Sequence, residues 1–467
     1  MHGNVIAQVS TPPGKGGVAV IRMSGSGAFE IADRVFLPIS GKRISDYPAR
    51  TQIYGYIIHN EEKIDDVMLT VFPSPRSYTG EDTVEISCHG GILVTRTVLE
   101  TLFANGAVSA EAGEFTRRAF INGKLSLSEA EAIGTLLEAT SREQIRLSAS
   151  PARARLTEAV GSIRTRLTSL MSSIYARIDY PDEDLGEFTD EETLKTLEAI
   201  RKDLMRLIDT YRTGRAINEG ISAVICGKPN VGKSTLYNLL AGEDAAIVTD
   251  VAGTTRDILE RTVSLGRVTL RITDTAGVRS GEEVGTVEKI GIGKSKDRIA
   301  SSELILALFD LSRELDESDR ELIEEISESS GYKVCILNKA DLVETGAHPF
   351  DTSLIPEGIF SDVLTISADK DNLSAIDKLS KLVEGLFTDE KISAGQDAIV
   401  SSARQHASLL RACGFIDTAI DAYRLGLPAD AASSDIEMAI GAISELDGRA
   451  VSDSIVNDIF SKFCVGK

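Results

Sequence analysis

The stretch Gly227–Ser234 constrains the fold of this chain more than any other. It reads G-K-P-N-V-G-K-S and fits the phosphate-binding pattern G-x-x-x-x-G-K-[ST]. The apolar run Ile221–Ile225 before it predicts a strand, and Leu236–Ala241 after it predicts a helix. Glycines there let backbone N–H groups surround phosphate oxygens, while Lys233 reaches the β- and γ-phosphates and the Ser234 hydroxyl ligates Mg²⁺. The loop therefore predicts an α/β domain with a phosphate site.

Composition narrows the class of protein. The chain has 467 residues, 42% hydrophobic and 26% charged, which is ordinary for a globular protein of several domains. No apolar run approaches the roughly 20 residues of a membrane span, and we expect neither a signal peptide nor a membrane partner. Five scattered cysteines without a C-x-x-C pair predict a reducing, cytoplasmic location. The net charge of −21 repels nucleic acid, so a nucleic-acid role needs a local basic patch or a basic partner.

The pattern along the chain predicts four segments. Residues 1–122 mix short β-like runs with a helical run and form an α+β domain, and residues 123–215 are helical. Residues 216–385 alternate apolar strands with amphipathic helices, as in a parallel α/β sheet, and residues 386–467 are helical again. We therefore predict an α/β domain inserted into a helical domain whose two parts pack together.

Three later motifs identify the nucleotide. Asp274-Thr275-Ala276-Gly277 follows a strand; its Asp can hold the Mg²⁺ shell through water and its last N–H can meet a γ-phosphate. Asn338-Lys339-Ala340-Asp341 follows another strand, and its Asp can accept two N–H bonds from a guanine edge. Ser367-Ala368 follows a third. Any one alone would be an ordinary turn. In this order, at carboxyl ends of strands, they resemble the motifs of Ras-like P-loop GTPases and predict GTP as substrate.

A polar stretch, residues 249–257, lies where the first switch segment of a GTPase should be, and Thr255 there would close on Mg²⁺. The predicted GTP-binding residues are Asn230, Val231, Gly232, Lys233, Ser234, Thr235, Thr249, Asp250, Val251, Ala252, Gly253, Thr254, Thr255, Asp274, Thr275, Ala276, Gly277, Asn338, Lys339, Asp341, Ser367 and Ala368.

Two details distinguish the predicted chemistry from that of Ras. Val278 stands where Ras-like enzymes place a glutamine that orients water, so another group must do so, and Glu282, Glu283 and Glu288 are candidates. No arginine finger is evident. Asn230 inside the loop can ligate a monovalent cation, and K⁺ there could supply the missing positive charge.

Segments throughout the chain resemble the tRNA-modification GTPase MnmE (TrmE) family. They include Thr11–Gly17 with Arg22, Tyr78–Asp82, Gly113–Phe120 and the terminal Cys464-Val465-Gly466-Lys467. The resemblance implies a homodimer formed through an N-terminal domain similar to tetrahydrofolate-binding domains. It also implies an FAD-containing partner, MnmG, in a heterotetramer that adds a carboxymethylaminomethyl or aminomethyl group to the wobble uridine of certain tRNAs.

The same resemblance implies roles for individual residues. A 5-formyl- or 5,10-methylene-tetrahydrofolate would bind Arg22, Glu81, Lys124 and Lys467. K⁺ would be held by Asn230, Thr249, Val251 and Thr254, and Mg²⁺ by Ser234 and Thr255. Glu288 matches the family's catalytic glutamate. The segment Ser280–Thr286 is about two residues longer than is common in the family, which keeps Glu282 and Glu283 open.

Several alternatives remain at this stage. The chain could instead be a ribosome-assembly or signalling GTPase without folate chemistry, or a folate-dependent one-carbon transferase with a regulatory nucleotide domain. Cys464 is a possible functional thiol or a packing residue of the tail. On one continuous helix, Arg142, Arg146, Arg153 and Arg164 would form a stripe that could contact a tRNA backbone, although solubilising arginines are the simpler interpretation.

Overall fold

The strand that enters the phosphate-binding loop lies in the interior of a six-stranded sheet. The computed structural model describes residues 3–179, 189–242, 260–273, 297–343, 349–351, 355–369, 372–448 and 452–466. Contacts divide the chain into two compact units. One runs to Gly134 and includes the residues from Ile443 onward; the other runs from Thr135 to Ala442.

The N-terminal part of the first unit is a sheet flanked by helices. In chain order its elements are β1 (Ile6–Val9), β2 (Gly16–Ser24), α1 (Ala28–Val35), β3 (Phe36–Pro38), β4 (Gln52–His59), β5 (Glu62–Phe72), β6 (Thr83–Gly90), α2 (Ile92–Ala104), β7 (Val108–Ser109), α3 (Glu114–Ile121) and α4 (Leu127–Glu138). The strands form a seven-stranded sheet in the order β3-β4-β5-β6-β2-β1-β7, antiparallel except for the parallel pair β1 and β7. Alternate residues of β2 and β6, such as Ile21 and Ile86, are fully buried with Val98 and Leu102 of α2. This period-2 alternation explains why the strands were recognisable in the sequence.

The second unit contains the central helices and the phosphate-loop domain. Its elements in chain order are α5 (Arg142–Ser148), α6 (Ser150–Asp179), α7 (Asp190–Asp209), α8 (Tyr211–Asn218), β8 (Ile221–Gly227), α9 (Lys233–Ala241), β9 (Glu260–Leu265), β10 (Val268–Thr273), β11 (Leu304–Asp310), α10 (Glu317–Ser327), β12 (Tyr332–Asn338), β13 (Asp362–Thr365), α11 (Asn372–Phe387), α12 (Ala403–Arg424) and α13 (Ala429–Asp447). The last helix, α14 (Asp453–Ser461), belongs to the first unit.

The second sheet determines where the phosphate loop lies. Its order is β13-β12-β11-β8-β10-β9, and all pairs are parallel except β10 with β9. Every residue of β11 is buried, because helices cover both faces of a parallel sheet. Since β8, β11 and β12 run in the same direction, their carboxyl ends meet at one edge. The phosphate loop leaves the sheet at this edge.

The two helical parts on either side of the α/β domain pack together within the second unit. Ion pairs join α7 to α12: Arg201 with Asp417, and Arg424 with Glu198 at 2.7 Å. The apolar residues that recur at helical spacing along α6 are all buried, namely Leu156, Ile163, Leu167, Leu170 and Ile174. The domain limits at residues 122, 215 and 385 stay predictions. The helical segments and the α/β segment between them belong to one compact unit, so the described residues show no boundary between them at residues 215 and 385.

The arginine stripe was predicted on a continuous helix, and this premise is wrong. α5 ends at Ser148 and α6 begins at Ser150, so Arg142 and Arg146 lie on a different helix from Arg153 and Arg164. Pro151 occupies the first turn of α6, where a missing N–H costs nothing, and therefore starts this helix. None of the helices in the described ranges is long and apolar enough to cross a membrane.

The C-terminal segment packs against the first unit's own core. Phe460 of α14 is buried with Leu127 and Ala130 of α4. Beyond it, Val465 pairs with Ala112 in an isolated antiparallel bridge. Gly466 has a φ of 98° and lies so close to β1 that a Cβ would stand 2.3 Å from the Val9 carbonyl oxygen. Only glycine fits there, which gives the C-x-G-K ending a structural reason.

Candidate functional site: the phosphate loop and its neighbours

The loop between β8 and α9 depends on two glycines with positive φ. Gly227 has a φ of 148°, and a Cβ there would lie 2.5 Å from the Leu308 carbonyl oxygen. Gly232 has a φ of 104°, and a Cβ there would lie 2.2 Å from Nδ2 of Asn338. Neighbouring strands thus approach the loop more closely than any side chain allows. The result is a loop whose backbone leads into the N-terminus of α9, where unpaired N–H groups favour an anion.

Lys233 is held inside this loop. Its Nζ donates to the carbonyl oxygens of Gly227 at 2.6 Å and Lys228 at 2.7 Å. Burial lowers the pKa of the Lys233 ammonium, since the charged form is partly withdrawn from water. A bound phosphate would replace neutral carbonyls with full negative charges and favour the charged form, so the lysine is suited to a polyanion.

Asn230, Ser234 and Thr235 are exposed at the loop. Ser234 and Thr235 lie in the first turn of α9, and Asn230 precedes it with a φ of 65°. Hydroxyl and amide oxygens are hard donors of the kind that Mg²⁺ and K⁺ prefer, so Ser234 and Asn230 fit the metal roles that the sequence predicts.

Asn338, at the end of β12, connects two predicted contacts with the nucleotide. Its Nδ2 donates to the Val231 carbonyl oxygen at 2.8 Å, and its Oδ1 accepts from the Ala368 N–H at 3.0 Å. The side chain is 4% exposed. Asn338 therefore fixes the position of the phosphate loop relative to the Ser367-Ala368 segment.

Lys339 and Asp341 follow directly. Lys339 has a φ of 65°, and its Nζ lies 2.6 Å from Oδ2 of Asp310 at the end of β11. The exposed Asp341 carboxylate accepts from the Ser367 hydroxyl at 2.7 Å. The structure thus brings the Asn338–Asp341 motif, the Ser367-Ala368 segment and the phosphate loop to one edge of the sheet.

Part of the predicted site lies outside the described residues. This applies to Thr249, Asp250, Val251, Ala252, Gly253, Thr254 and Thr255, to Asp274, Thr275, Ala276 and Gly277, to Glu282, Glu283 and Glu288, and to Lys467. The described strands β8 and β10 are adjacent and parallel, with Leu270 opposite Ile221, and residue 274 directly follows β10 in the sequence. The roles of all these residues stay predictions.

Three residues of the other predicted set, Arg22, Glu81 and Lys124, are described and belong to the first unit. The Arg22 guanidinium lies 5.3 Å from the centre of the Tyr78 ring and 5.7 Å from that of Phe115, and it pairs with Glu85 at 2.8 Å. Glu81 accepts from the Ser24 hydroxyl at 3.0 Å and pairs with Arg118 at 3.1 Å.

Lys124 lies beside Glu81. Nζ of Lys124 donates to the Pro75 carbonyl oxygen at 3.0 Å, and its side chain packs beside Gly80, next to Glu81.

Cys464 is exposed. Cys226 and Cys335 are buried in strands, and burial raises the pKa of each thiol to about 12, so both are unreactive core residues.

Sequence reasoning did not single out three partners. Arg118 and Asp310 neutralise predicted site residues, Glu81 and Lys339, from distant positions in the chain. The third partner is Asp65 on β5, whose Oδ1 lies 2.6 Å from Nδ1 of His89 near the end of β6. The only sequence signal for such pairs is a charged residue within an apolar strand or helix, as at Asp310 after the apolar run 304–309.

A glycine-dependent loop, a partly buried lysine and a guanine-type motif at the carboxyl edge of a parallel sheet define a P-loop nucleotide-binding protein. Comparisons with known proteins specify it further. The family model for "GTP-binding protein TrmE N-terminus" matches residues 5–124, and that for "MnmE helical domain" matches residues 127–464. The chain belongs to the MnmE (TrmE) family.

Individual relatives match over their full length. The tRNA modification GTPase MnmE of Carboxydothermus hydrogenoformans is 37% identical over 469 residues and covers 100% of both chains. That of Thermotoga sp. (strain RQ2) is 38% identical, covering 99% of this chain and 100% of its own. Among solved structures, Aquifex aeolicus Era bound to GDP and AlF₄⁻ is 21% identical over 42% of this chain and 66% of its own, with a TM-score of 0.26, which is too low to support a conclusion.

Membership confirms the predicted family, the predicted combination of an N-terminal domain, a helical domain and an inserted P-loop domain, and the prediction that the chain is a GTP-hydrolysing enzyme.

Proposed function

We propose that this chain is a K⁺-stimulated GTPase that acts with an FAD-containing partner of the MnmG type to modify the wobble uridine of certain tRNAs. The observation that carries this proposal is the full-length match to relatives named tRNA modification GTPase, combined with an intact phosphate loop. GTP hydrolysis would drive the two GTPase domains of a homodimer together and so change the conformation of the complex.

The described residues suggest how GTP would be bound. Lys233 would exchange its two carbonyl contacts for the β- and γ-phosphates, whose remaining charge the N-terminus of α9 would stabilise. Ser234, together with Thr255, would hold Mg²⁺, which neutralises phosphate charge when bound. Asp341 would accept from the guanine edge, and Asn338 would keep the phosphate and base contacts at a fixed spacing.

K⁺ would be held by Asn230 together with Thr249, Val251 and Thr254. The exposed Asn230 amide supports this assignment, because its oxygen is not buried against the sheet. Glu288, or less favourably Glu282 or Glu283, would orient the attacking water in place of the glutamine that Val278 replaces.

The folate donor would bind beside Arg22, Glu81, Lys124 and Lys467. Both described contacts of the Glu81 carboxylate use Oε2, so Oε1 can accept hydrogen bonds from a pterin. Similarly, Nε and Nη2 of Arg22 contact Glu85, and Nη1 can meet an anionic glutamate tail. The aromatic rings beside Arg22 suit a flat heterocycle.

The net charge of −21 bears on how tRNA would be bound. Such a surface opposes a polyanion, so we propose that the partner protein supplies most of the basic surface within a heterotetramer. Strong, salt-sensitive tRNA binding by this chain alone would contradict that division of roles.

The decisive experiment compares GTP hydrolysis in K⁺ with that in Na⁺ at equal ionic strength. We expect faster turnover in K⁺. Asn230→Ala should remove this difference while retaining nucleotide binding, whereas Asn238→Ala, at an exposed position of α9, should leave it unchanged. Equal rates in the two salts would exclude K⁺ stimulation.

A second experiment separates folate chemistry from a purely switch-like GTPase. Calorimetry with 5-formyl-tetrahydrofolate should show binding that Glu81→Gln weakens and Glu62→Gln, on the exposed start of β5, does not. No heat with the unmodified protein would favour a ribosome-assembly or signalling role. Loss of wobble-uridine modification in tRNA from a deletion strain would support the proposed pathway directly.

A further inference from the structure

An ion pair between two neighbouring strands lies next to the predicted guanine contacts. β11 and β12 are parallel, with Asp310 opposite Asn338, so Lys339 is the first residue beyond the sheet. Lys339 has a φ of 65°, a backbone conformation uncommon for a residue with a side chain. From there its Nζ reaches Oδ2 of Asp310 at 2.6 Å.

The carboxylate of Asp310 is fully engaged. Its Oδ1 accepts from the backbone N–H of Ser312 at 3.0 Å and from the Ser312 hydroxyl at 2.6 Å, while Oδ2 faces Lys339. Burial alone would raise the pKa of Asp310, but the hydrogen bonds from Lys339 and Ser312 outweigh it and lower the pKa. Asp310 is therefore an ionised, fixed anchor for the lysine.

The neighbours of Lys339 in sequence are the residues that define the nucleotide site. Asn338 is bonded to the phosphate loop, and Asp341 is bonded to Ser367. Lys339 lies between them with its side chain 30% exposed. A lysine held by its ammonium presents its hydrocarbon stem in one orientation, and such a stem can cover an aromatic face.

We propose that Asp310 is a positioning residue, which holds the Lys339 side chain beside the guanine base and so raises the affinity of the site for guanine nucleotides. It contacts the lysine and not the nucleotide. The physical basis is conformational entropy: a lysine already immobilised by its partner loses less freedom when the base binds. The inference rests on GTP being the ligand, as family membership implies.

Nucleotide affinity in single and double variants tests this role. Titration with a fluorescent GDP analogue should show that Asp310→Asn weakens binding by about two- to tenfold, the value of one immobilised side chain. The KM for GTP should rise in parallel, while kcat at saturating GTP stays unchanged. A purely structural defect would lower kcat or the melting temperature without this selective change.

The double variant of Asp310 and Lys339 tests most directly whether Asp310 acts through Lys339. If Asp310 acts through Lys339, then Asp310→Asn should cause no further loss in a Lys339→Met background, because the group being positioned is already absent. Additive losses would overturn the proposal. So would unchanged affinity in Asp310→Asn.

Two further variants keep the test decisive. Asp310→Glu retains the charge but displaces it by one methylene, and it replaces Asp310→Asn if that variant does not fold; it should also weaken binding only when Lys339 is present. Lys333→Met, on the same strand as Asn338 but near its other end, is the matched control and should bind as the unmodified protein does. Failure of the unmodified protein to bind any guanine nucleotide would instead refute the GTPase function on which the inference rests.

Discussion

The side-chain amide of Asn338 donates a 2.8 Å hydrogen bond to the backbone carbonyl oxygen of Val231, inside the phosphate loop. The same side chain accepts at 3.0 Å from the N–H of Ala368. One buried amide thus joins three strand ends of the sheet. Both contacts are buried, so neither the Val231 carbonyl nor the Ala368 N–H can form a replacement hydrogen bond with solvent water if the amide is removed.

Asn338→Ala should therefore weaken nucleotide binding and also lower the overall stability. It removes the hydrogen bonds that the Val231 carbonyl and the Ala368 N–H make with this side chain, at about 1–3 kcal/mol each, and binding should fall by roughly ten- to a hundredfold. Titration with a fluorescent GDP analogue measures this loss. Asn238→Ala, exposed on α9, is the control. Unchanged affinity would show that the loop keeps its shape without Asn338.

Gly232→Ala should abolish nucleotide binding. A Cβ at Gly232 would lie 2.2 Å from Nδ2 of Asn338, and the φ of 104° is strained for alanine. Either Asn338 or the loop must then move. Equilibrium dialysis with GTP measures the loss, and Gly161→Ala is a matched control, since its added Cβ meets nothing within 4 Å inside α6. That control should bind GTP normally and be up to about 1 kcal/mol more stable.

The local elements of this site were predictable because each follows from chemistry within a few residues. The apolar run before the loop lies in β8, and the strand expected before Asp274 is β10, which ends at Thr273. Gly227 and Gly232 were recognisable from the loop pattern alone. Parallel strands then place their carboxyl ends together, so the proximity of Asn338 to the loop followed from the predicted sheet.

Contacts between distant residues were not predictable in the same way. Arg118 and Asp310 are single charges whose partners depend on which elements pack together. β9 was missed because Glu260 and Arg261 open it with charges, and its pairing with β10 identifies it as a strand. The break before Pro151 depends on one residue's backbone, which periodicity over a long window does not resolve.

Gly214→Ala should destabilise the second unit. Gly214 lies in α8, where a Cβ would stand 2.0 Å from the Val400 carbonyl oxygen and 2.7 Å from Cγ2 of Ile399. Beside it the Thr210 hydroxyl accepts from the Val400 N–H at 3.0 Å, so the displaced segment would also lose a hydrogen bond. We expect a loss of about 2–4 kcal/mol in the free energy of unfolding.

Thermal and urea denaturation of Gly214→Ala measure this loss, with Gly161→Ala again as the control. Since the phosphate loop is not involved, the folded fraction should still bind GTP. An unchanged melting temperature would mean that the segment at Val400 moves away without cost.

The pKa values of two histidines should be shifted in opposite directions from the usual value. The hydrogen bond from His89 to Asp65, at 2.6 Å, raises the pKa of His89 above its usual value near 6.5. Burial lowers the pKa of His406, whose ring stacks on Tyr211 with centroids 4.1 Å apart. NMR titration of the ring C–H signals should thus give a midpoint above 6.5 for His89 and below it for His406.

Protonation of the two histidines changes the free energy of unfolding in opposite directions, since protonating His89 stabilises the fold and protonating His406 destabilises it. The stabilisation from the His89–Asp65 pair is present below the unfolded pKa and is lost as the pH rises through the higher folded pKa. His406 instead destabilises the fold as the pH falls below its unfolded pKa, because the folded state resists the charge. Asp65→Asn should return the His89 midpoint toward 6.5 and leave that of His406 unchanged. A shift of both midpoints would mean that the substitution disturbs the fold, and no shift would mean that Asp65 does not control His89.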